Sequence, residues 1–238
     1  PKTKAFIFST PCNPSGSVYT KAELASLAEV FKKHPQIIIL SDEIYEFIQY
    51  EQKHESMGQF TELKDRLVII NGVAKGYAMT GWRIGYIAAP KAIVSACNKI
   101  QGQYTSGICT IAQAASLEAM KMSPENSEEI QTMLKAFRNR RDMFFELLSE
   151  IPGIKLSKPA GAFYMFPEIK SFFGKTDGET TINNSDDLCL YLLDKAHVAC
   201  VGGAAFGNDE CIRLSYATSE DKLRDAAARI KEALSKLK

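Results

Sequence analysis

Apolar positions in the first ninety residues fall into short continuous runs, separated by stretches of helical period. Ala5 to Phe8 is one such run, and it ends in the dense turn signal STPCNPSG. From Thr20 onward, Leu24, Leu27, Ala28 and Phe31 recur on one helical face, which predicts a helix to about Lys33. Glu23 stands where it would complete a capping box on Thr20. QIIIL (Gln36 to Leu40), RLVIIN (Arg66 to Asn71) and RIGYIAA (Arg83 to Ala89) are apolar without alternation, as strands buried on both faces of a parallel sheet should be. Pro90 opens a further helix to about Gln101. Strand and helix in alternation predict an α/β sheet covered on both sides.

The texture changes after Thr110. Helical patterns cover Ile111 to Met122 and then Glu125 to Ser149, where IPGIK breaks the period. Short strands follow at Gly161 to Pro167, His197 to Val201 and Cys211 to Ala217, with helices at Ser185 to Ala196 and Ser219 to Leu237. Asp177 to Asn184 reads as a polar loop. The expected organisation is a mostly parallel large domain over residues 1–149, ending in the long helix, and a small α+β domain over residues 150–238.

Composition narrows the function classes. The 238 residues are 45% hydrophobic and 24% charged with a net charge of +1, which suits a globular core and gives no basic stripe for nucleic acid. FRNRRD (Phe137 to Asp142) reads as a solvated helix face. No apolar run approaches the roughly 20 residues that cross a bilayer, so no membrane partner is expected. The six cysteines include no C-x-x-C pair and the three histidines lie far apart, which argues for reduced thiols in a cytoplasmic protein and against a metal site. The chain opens directly on a strand pattern, and this leads to the expectation that it starts inside a domain.

In open α/β sheets ligands bind outside the carboxyl ends of the strands. The first strand delivers Asn13, in NPSG. The second delivers Asp42, Glu43 and Tyr45, in LSDEIYE. The third delivers Lys75, and the next begins with Arg83. A lysine alone is ordinarily a surface residue. Lys75 follows a buried strand and small residues, where partial desolvation would lower its pKa and free the amine for Schiff-base chemistry, with a substrate carbonyl or with pyridoxal phosphate. Asp42 favours the second, because the ring nitrogen of that cofactor needs a carboxylate beside it. Asp42 could equally cap a helix over EIYEFI, on whose face Tyr45 would lie beside it. Asn13 could be a turn residue, and Arg83 could serve structure or a phosphate. Arg213 points away from Ile212 and Leu214 in the strand CIRLSYA, toward solvent or toward a substrate carboxylate.

STPCNPSG, LSDEIYE, NGVAKGYAMTGWRIGY, AGAFYMFP and IRLSYATSEDKL, in that order, resemble the class I/II aminotransferases, the fold-type I pyridoxal-phosphate enzymes that include aspartate aminotransferase. The resemblance extends from about Thr3 to the C-terminus. It implies that Lys75 holds the cofactor through its amine and then moves a proton at the substrate α-carbon. It implies Asp42 on the pyridine nitrogen, Asn13 and Tyr45 on the phenolate oxygen, Arg83 on the phosphate and Arg213 on the substrate α-carboxylate. Val73 and Ala74 precede the lysine where many relatives have a serine. The family's long N-terminal segment is not in this sequence, so an active homodimer is expected of the longer enzyme and weak or no activity of these residues alone. The expected reaction moves an amino group from an amino acid, aspartate first, to a 2-oxo acid such as 2-oxoglutarate. Alternatives on the same fold are an aromatic or broad-range aminotransferase and a β-lyase. A non-catalytic effector domain of a regulator is the alternative from another class.

Overall fold

The computed structural model describes residues 2–238. Its contacts gather into two compact units, one of Pro1–Cys12 with Ser17–Thr132, the other of Asn13–Gly16 with Met133–Lys238.

The first unit is built on a four-stranded sheet in the order β1 (Ala5–Ser9), β2 (Ile38–Asp42), β3 (Leu67–Gly72), β4 (Gly85–Ala88). The first three strands are parallel and β4 runs antiparallel to β3. Helix α1 (Lys21–Lys32) joins β1 to β2. Its start is the capping box that the sequence predicts: Glu23 N donates to Thr20 Oγ1 at 3.3 Å and Thr20 N donates to Glu23 Oε2 at 2.8 Å. At its other end Arg66 donates to the carbonyls of Phe31, His34 and Ile37, so one guanidinium ties the end of α1 to the turn that leads into β2. Leu24, Ala28 and Phe31 of α1 pack on Phe8, Ile39 and Leu67 of the strands, with Met57 and Leu63 from the connection closing the cluster. Each large apolar side chain fully buried there contributes about 1.5–3 kcal/mol.

Strand parity decides what lies opposite that core. The register pairs Ile7 with Leu40, which places both on the sheet face away from Phe8 and Ile39. Leu40 is half-buried and Ile7 is 69% exposed. The expectation of a sheet covered on both faces therefore holds for the α1 face only among the described residues.

Helices α2 (Lys91–Thr105) and α3 (Thr110–Lys121) complete the unit. α2 runs one turn beyond the expected Gln101, carries no buried residue and exposes Ile100 and Tyr104. The long helix α4 (Glu128–Ser149) begins in the first unit and continues into the second.

The second unit holds a three-stranded antiparallel sheet in the order β5 (Tyr164–Met165), β7 (Ile212–Ser215), β6 (Val201–Gly202). Helices α5 (Ser185–Ala196) and α6 (Glu220–Ser235) pack against each other, with Tyr191 Oη donating to Ala233 O at 3.0 Å. The strands are shorter than their apolar runs. Ala162 and His197 both take left-handed backbone, at φ 55° and 53°, and His197 serves there as the C-cap of α5 rather than opening a strand.

Candidate active site

Asp42 is the last residue of β2, and the ladder parity puts it on the same face as Leu40 and Ile7. Beyond it the chain does not form a helix. Glu46 N donates to Glu43 O and Ile48 N donates to Tyr45 O, so residues 43–48 are successive tight turns. Asp42 is accordingly not a helix cap. Its Oδ1 accepts from Ile44 N at 3.1 Å, which closes an Asx turn, and no shared helical face joins it to Tyr45. Burial pushes the Asp42 carboxyl above its ordinary range; the Ile44 hydrogen bond opposes this, and the charge of Glu43 adds to the rise.

Tyr45 is buried at 4% exposure. The half-buried Lys75 sends Nζ over its ring, 5.6 Å from the centroid. The lysine loop is positioned by two close approaches. A Cβ at Gly72 would stand 2.7 Å from Ile84 O, because β4 returns directly beside β3 there. A Cβ at Gly76 would stand 2.4 Å from Phe47 Cδ2, and Phe47 in turn packs edge-on against Tyr77 at 5.5 Å. Gly76→Ala should therefore force Phe47 out of place and cost about 1–3 kcal/mol. Urea unfolding measures that loss, and an unchanged midpoint would show that the loop has room to relax.

Arg83 reaches this sheet edge because β4 is antiparallel. Gly72 pairs with Gly85, so the start of β4 lies beside the end of β3. The expected strand from Arg83 begins only at Gly85. Thr80–Trp82 is a short 3-10 turn, and Arg83 itself is left-handed at φ 57°, exposed, with Nη1 donating to Thr80 O at 2.8 Å. The first unit thus brings an amine, a carboxylate, a phenol and a guanidinium to one end of one sheet.

The second unit brings the other two residues together. Arg213 Nη1 donates to Asn13 Oδ1 at 3.0 Å across 200 positions of sequence. The Arg213 guanidinium also stacks between rings, 4.7 Å from the Tyr164 centroid and 4.9 Å from that of Phe206. Ile212 and Leu214 are buried on the other side of β7, as alternation predicts.

One cluster was not anticipated. Glu43, 2% exposed, gathers four donors: Ser41 Oγ at 2.9 Å, His54 Nε2 at 2.8 Å, Ser56 Oγ at 3.1 Å and Met57 N at 3.1 Å. Burial alone would push this carboxyl up. The hydrogen bonds from His54, Ser56 and Ser41, with the charge of His54, outweigh it and hold Glu43 below its ordinary value. The knot ties residues 54–57 to the residue after Asp42. The one signal in the sequence is a second carboxylate beside Asp42; the partners are 11 to 14 residues away, and no periodicity links them.

Residues 1–230 match the family model Aminotransferase class I and II, and the chain belongs to that family. The family consists of pyridoxal-phosphate enzymes of fold type I, which gives this chain both its cofactor and its fold class. Over 239 residues the chain is 48% identical to the bifunctional aspartate aminotransferase and glutamate/aspartate-prephenate aminotransferase of Petunia hybrida, covering 100% of this chain and 50% of that protein. It superposes on the crystal structure of aspartate aminotransferase from Rhizobium meliloti with a TM-score of 0.93 at 39% identity, covering 100% of this chain and 60% of that one. An aromatic aminotransferase from Pyrococcus horikoshii OT3 gives a TM-score of 0.87 at 35% identity, with 98% and 60% covered. The chain spans about half the length of the first curated relatives it matches.

The donor set fits the cofactor. A carboxyl raised by burial, as Asp42 is, returns to its charged form beside a cation, and a protonated pyridine nitrogen is such a cation. Lys75 supplies an amine over a buried tyrosine, and Arg83 an exposed guanidinium at the same sheet end.

Proposed function

We propose that the protein is an aminotransferase that moves the amino group of aspartate to a 2-oxo acid, with 2-oxoglutarate as the first acceptor. The observation that carries this reading is the hydrogen bond between Arg213 and Asn13, which joins the substrate-carboxylate group to a cofactor group. The names of the relatives support the choice of aspartate. Bound pyridoxal phosphate supplies an aldehyde for amines to condense with and a ring that takes up negative charge from the substrate α-carbon.

The residues divide the remaining work. Lys75 would hold the cofactor through Nζ and, as a free amine, would take the proton from the substrate α-carbon. Asp42 keeps the ring nitrogen protonated. Asn13 and Tyr45 would donate to the phenolate oxygen, and Arg83 would pair with the phosphate. Arg213 grips the α-carboxylate with a guanidinium already immobilised between Tyr164 and Phe206, so little side-chain freedom is lost on binding. Asp42, Tyr45, Lys75 and Arg83 lie in the first compact unit and Asn13 lies with Arg213 in the second; along the sequence we assign the domains to residues 1–149 and 150–238. Assembly as a homodimer belongs to the proposal, supported by exposed Ile100, Tyr104 and Ile111. A cytoplasmic location agrees with six free cysteines.

The test is a panel of donors, aspartate, glutamate and aromatic amino acids, against 2-oxoglutarate, with borohydride reduction and peptide mapping on the same sample. A pyridoxyl group on Lys75 and fastest turnover of aspartate are expected. Aromatic donors running fastest would transfer the assignment to the aromatic reading, and release of pyruvate would point to a β-lyase. Prephenate belongs in the panel as a second acceptor, since the Petunia relative is named for it.

Arg213→Lys should raise KM for the amino acid about 10- to 100-fold, the loss of a charge-assisted bidentate contact worth about 1.5–3 kcal/mol. Turnover at saturation should fall much less. A KM within twofold of wild type would remove Arg213 from the carboxylate site.

A further inference from the structure

We propose that Cys189 and Cys200 form a reversible dithiol–disulfide site in the second unit. Cys200 Sγ lies 3.3 Å from Cys189 Sγ, with the Cys200 thiol donating to the Cys189 sulfur, and both residues are half-buried rather than sealed in the core. Cys189 sits on α5 and Cys200 immediately precedes β6, so the pair bridges two elements. The facing is held by the packing beneath it. Leu188 and Leu192 of α5 are fully buried, and β6 approaches the first turn of α5 so closely that a Cβ at Gly202 would stand 1.9 Å from Asp186 Oδ1 and 3.0 Å from Ser185 Oγ. Cys97 and Cys109 are exposed on the first unit.

The two sulfurs are not equivalent. The hydrogen bond from Cys200 brings the Cys189 thiol below its ordinary pKa against the opposing effects of burial and Asp186, while the same bond and burial push Cys200 up. Cys189 is therefore the attacking thiolate. The oxidant is a low-molecular-weight disulfide. Cys189 thiolate attacks one of its sulfurs, breaking that S–S bond and expelling one thiolate. Cys200 then gives up its proton to solvent and attacks Cys189 Sγ, expelling the second thiolate. The two protein thiols together lose two electrons and two protons, and the small disulfide becomes two thiols. From 3.3 Å the sulfurs must close by about 1.3 Å to reach the ~2.05 Å of a disulfide. β6 pairs Val201 with Arg213, so the new bond ties α5 to the strand beside the arginine clamp.

The test exposes the native protein to oxidised glutathione, blocks remaining thiols by alkylation and maps peptides without reduction. The expected product is a Cys189–Cys200 link, two hydrogens lighter than the dithiol, reversed by dithiothreitol and about tenfold more abundant than any other pairing, as proximity dictates. In Cys200→Ser the glutathione should remain on Cys189 as a stable mixed disulfide. Alkylation of both cysteines in the wild type after long exposure, or a lasting glutathione adduct there without the link, would overturn the proposal. So would a Cys200→Ser protein whose Cys189 takes no adduct.

Discussion

Lys75→Ala is expected to abolish the pyridoxyl label and to lower transamination by on the order of 10⁴-fold, the upper range for loss of a positioned acid–base group. The argument rests on where the amine stands. Gly72 and Gly76 lock the loop between β4 and Phe47, and Nζ lies over the buried ring of Tyr45. Lys75 is the one lysine assigned to the proposed site, so its removal takes away the positioned amine. Lys75→Arg should be as inactive as the alanine variant despite keeping the charge, because a guanidinium does not become a neutral nucleophile near pH 7. Rates of the natural protein carrying each substitution, with spectra of the bound cofactor, decide the matter. Turnover within tenfold of wild type in either variant would remove Lys75 from the chemistry.

The second large effect concerns stability. Glu43→Ala leaves His54 Nε2, Ser41 Oγ, Ser56 Oγ and Met57 N without their common acceptor, and should cost about 3–5 kcal/mol, the range for breaking a buried charged network from one side. Glu43→Gln keeps the shape and some acceptor capacity and should cost less, about 1–3 kcal/mol. The same carboxylate gives a pH dependence. Its folded pKa is depressed below the ordinary 4.5, so the unfolded state binds the proton more readily. The stabilisation is complete above about pH 4.5 and is lost as pH falls through the lower folded value. Urea midpoints measured from pH 6 downward should fall more steeply for wild type than for Glu43→Gln. Parallel profiles for the two would show that Glu43 has no depressed pKa. Because Asp42 directly precedes Glu43, a loosened knot should also weaken cofactor retention, readable by dialysis.

How much of this was legible in advance follows from the range over which each signal acts. Thr20 and Glu23 announce the start of α1 because a capping box is closed by neighbours three residues apart. The apolar runs at Gln36 to Leu40 and Arg66 to Asn71 announce strands, since continuous β-branched burial has few other uses. Lys75, Asp42, Tyr45, Arg83, Asn13 and Arg213 stand out through local context and the resemblance of their motifs. The turns after Asp42 did not stand out. EIYEFI has a helical pattern, but the Asx turn on Asp42 and the ties of Glu43 to residues 54–57 draw the backbone into tight turns instead.

The chain by itself thus determined the element order, the parallel ladder from β1 to β3 and the chemical types at the strand ends, because these depend on period, capping and turn residues read within a few positions. Tertiary structure alone decided the reversal of β4 that brings Arg83 to the same sheet end as the Lys75 loop, the Arg213–Asn13 bond across 200 residues, the four donors around Glu43 and the meeting of Cys189 with Cys200. Each of those depends on where distant segments are packed, and no local propensity carries that information.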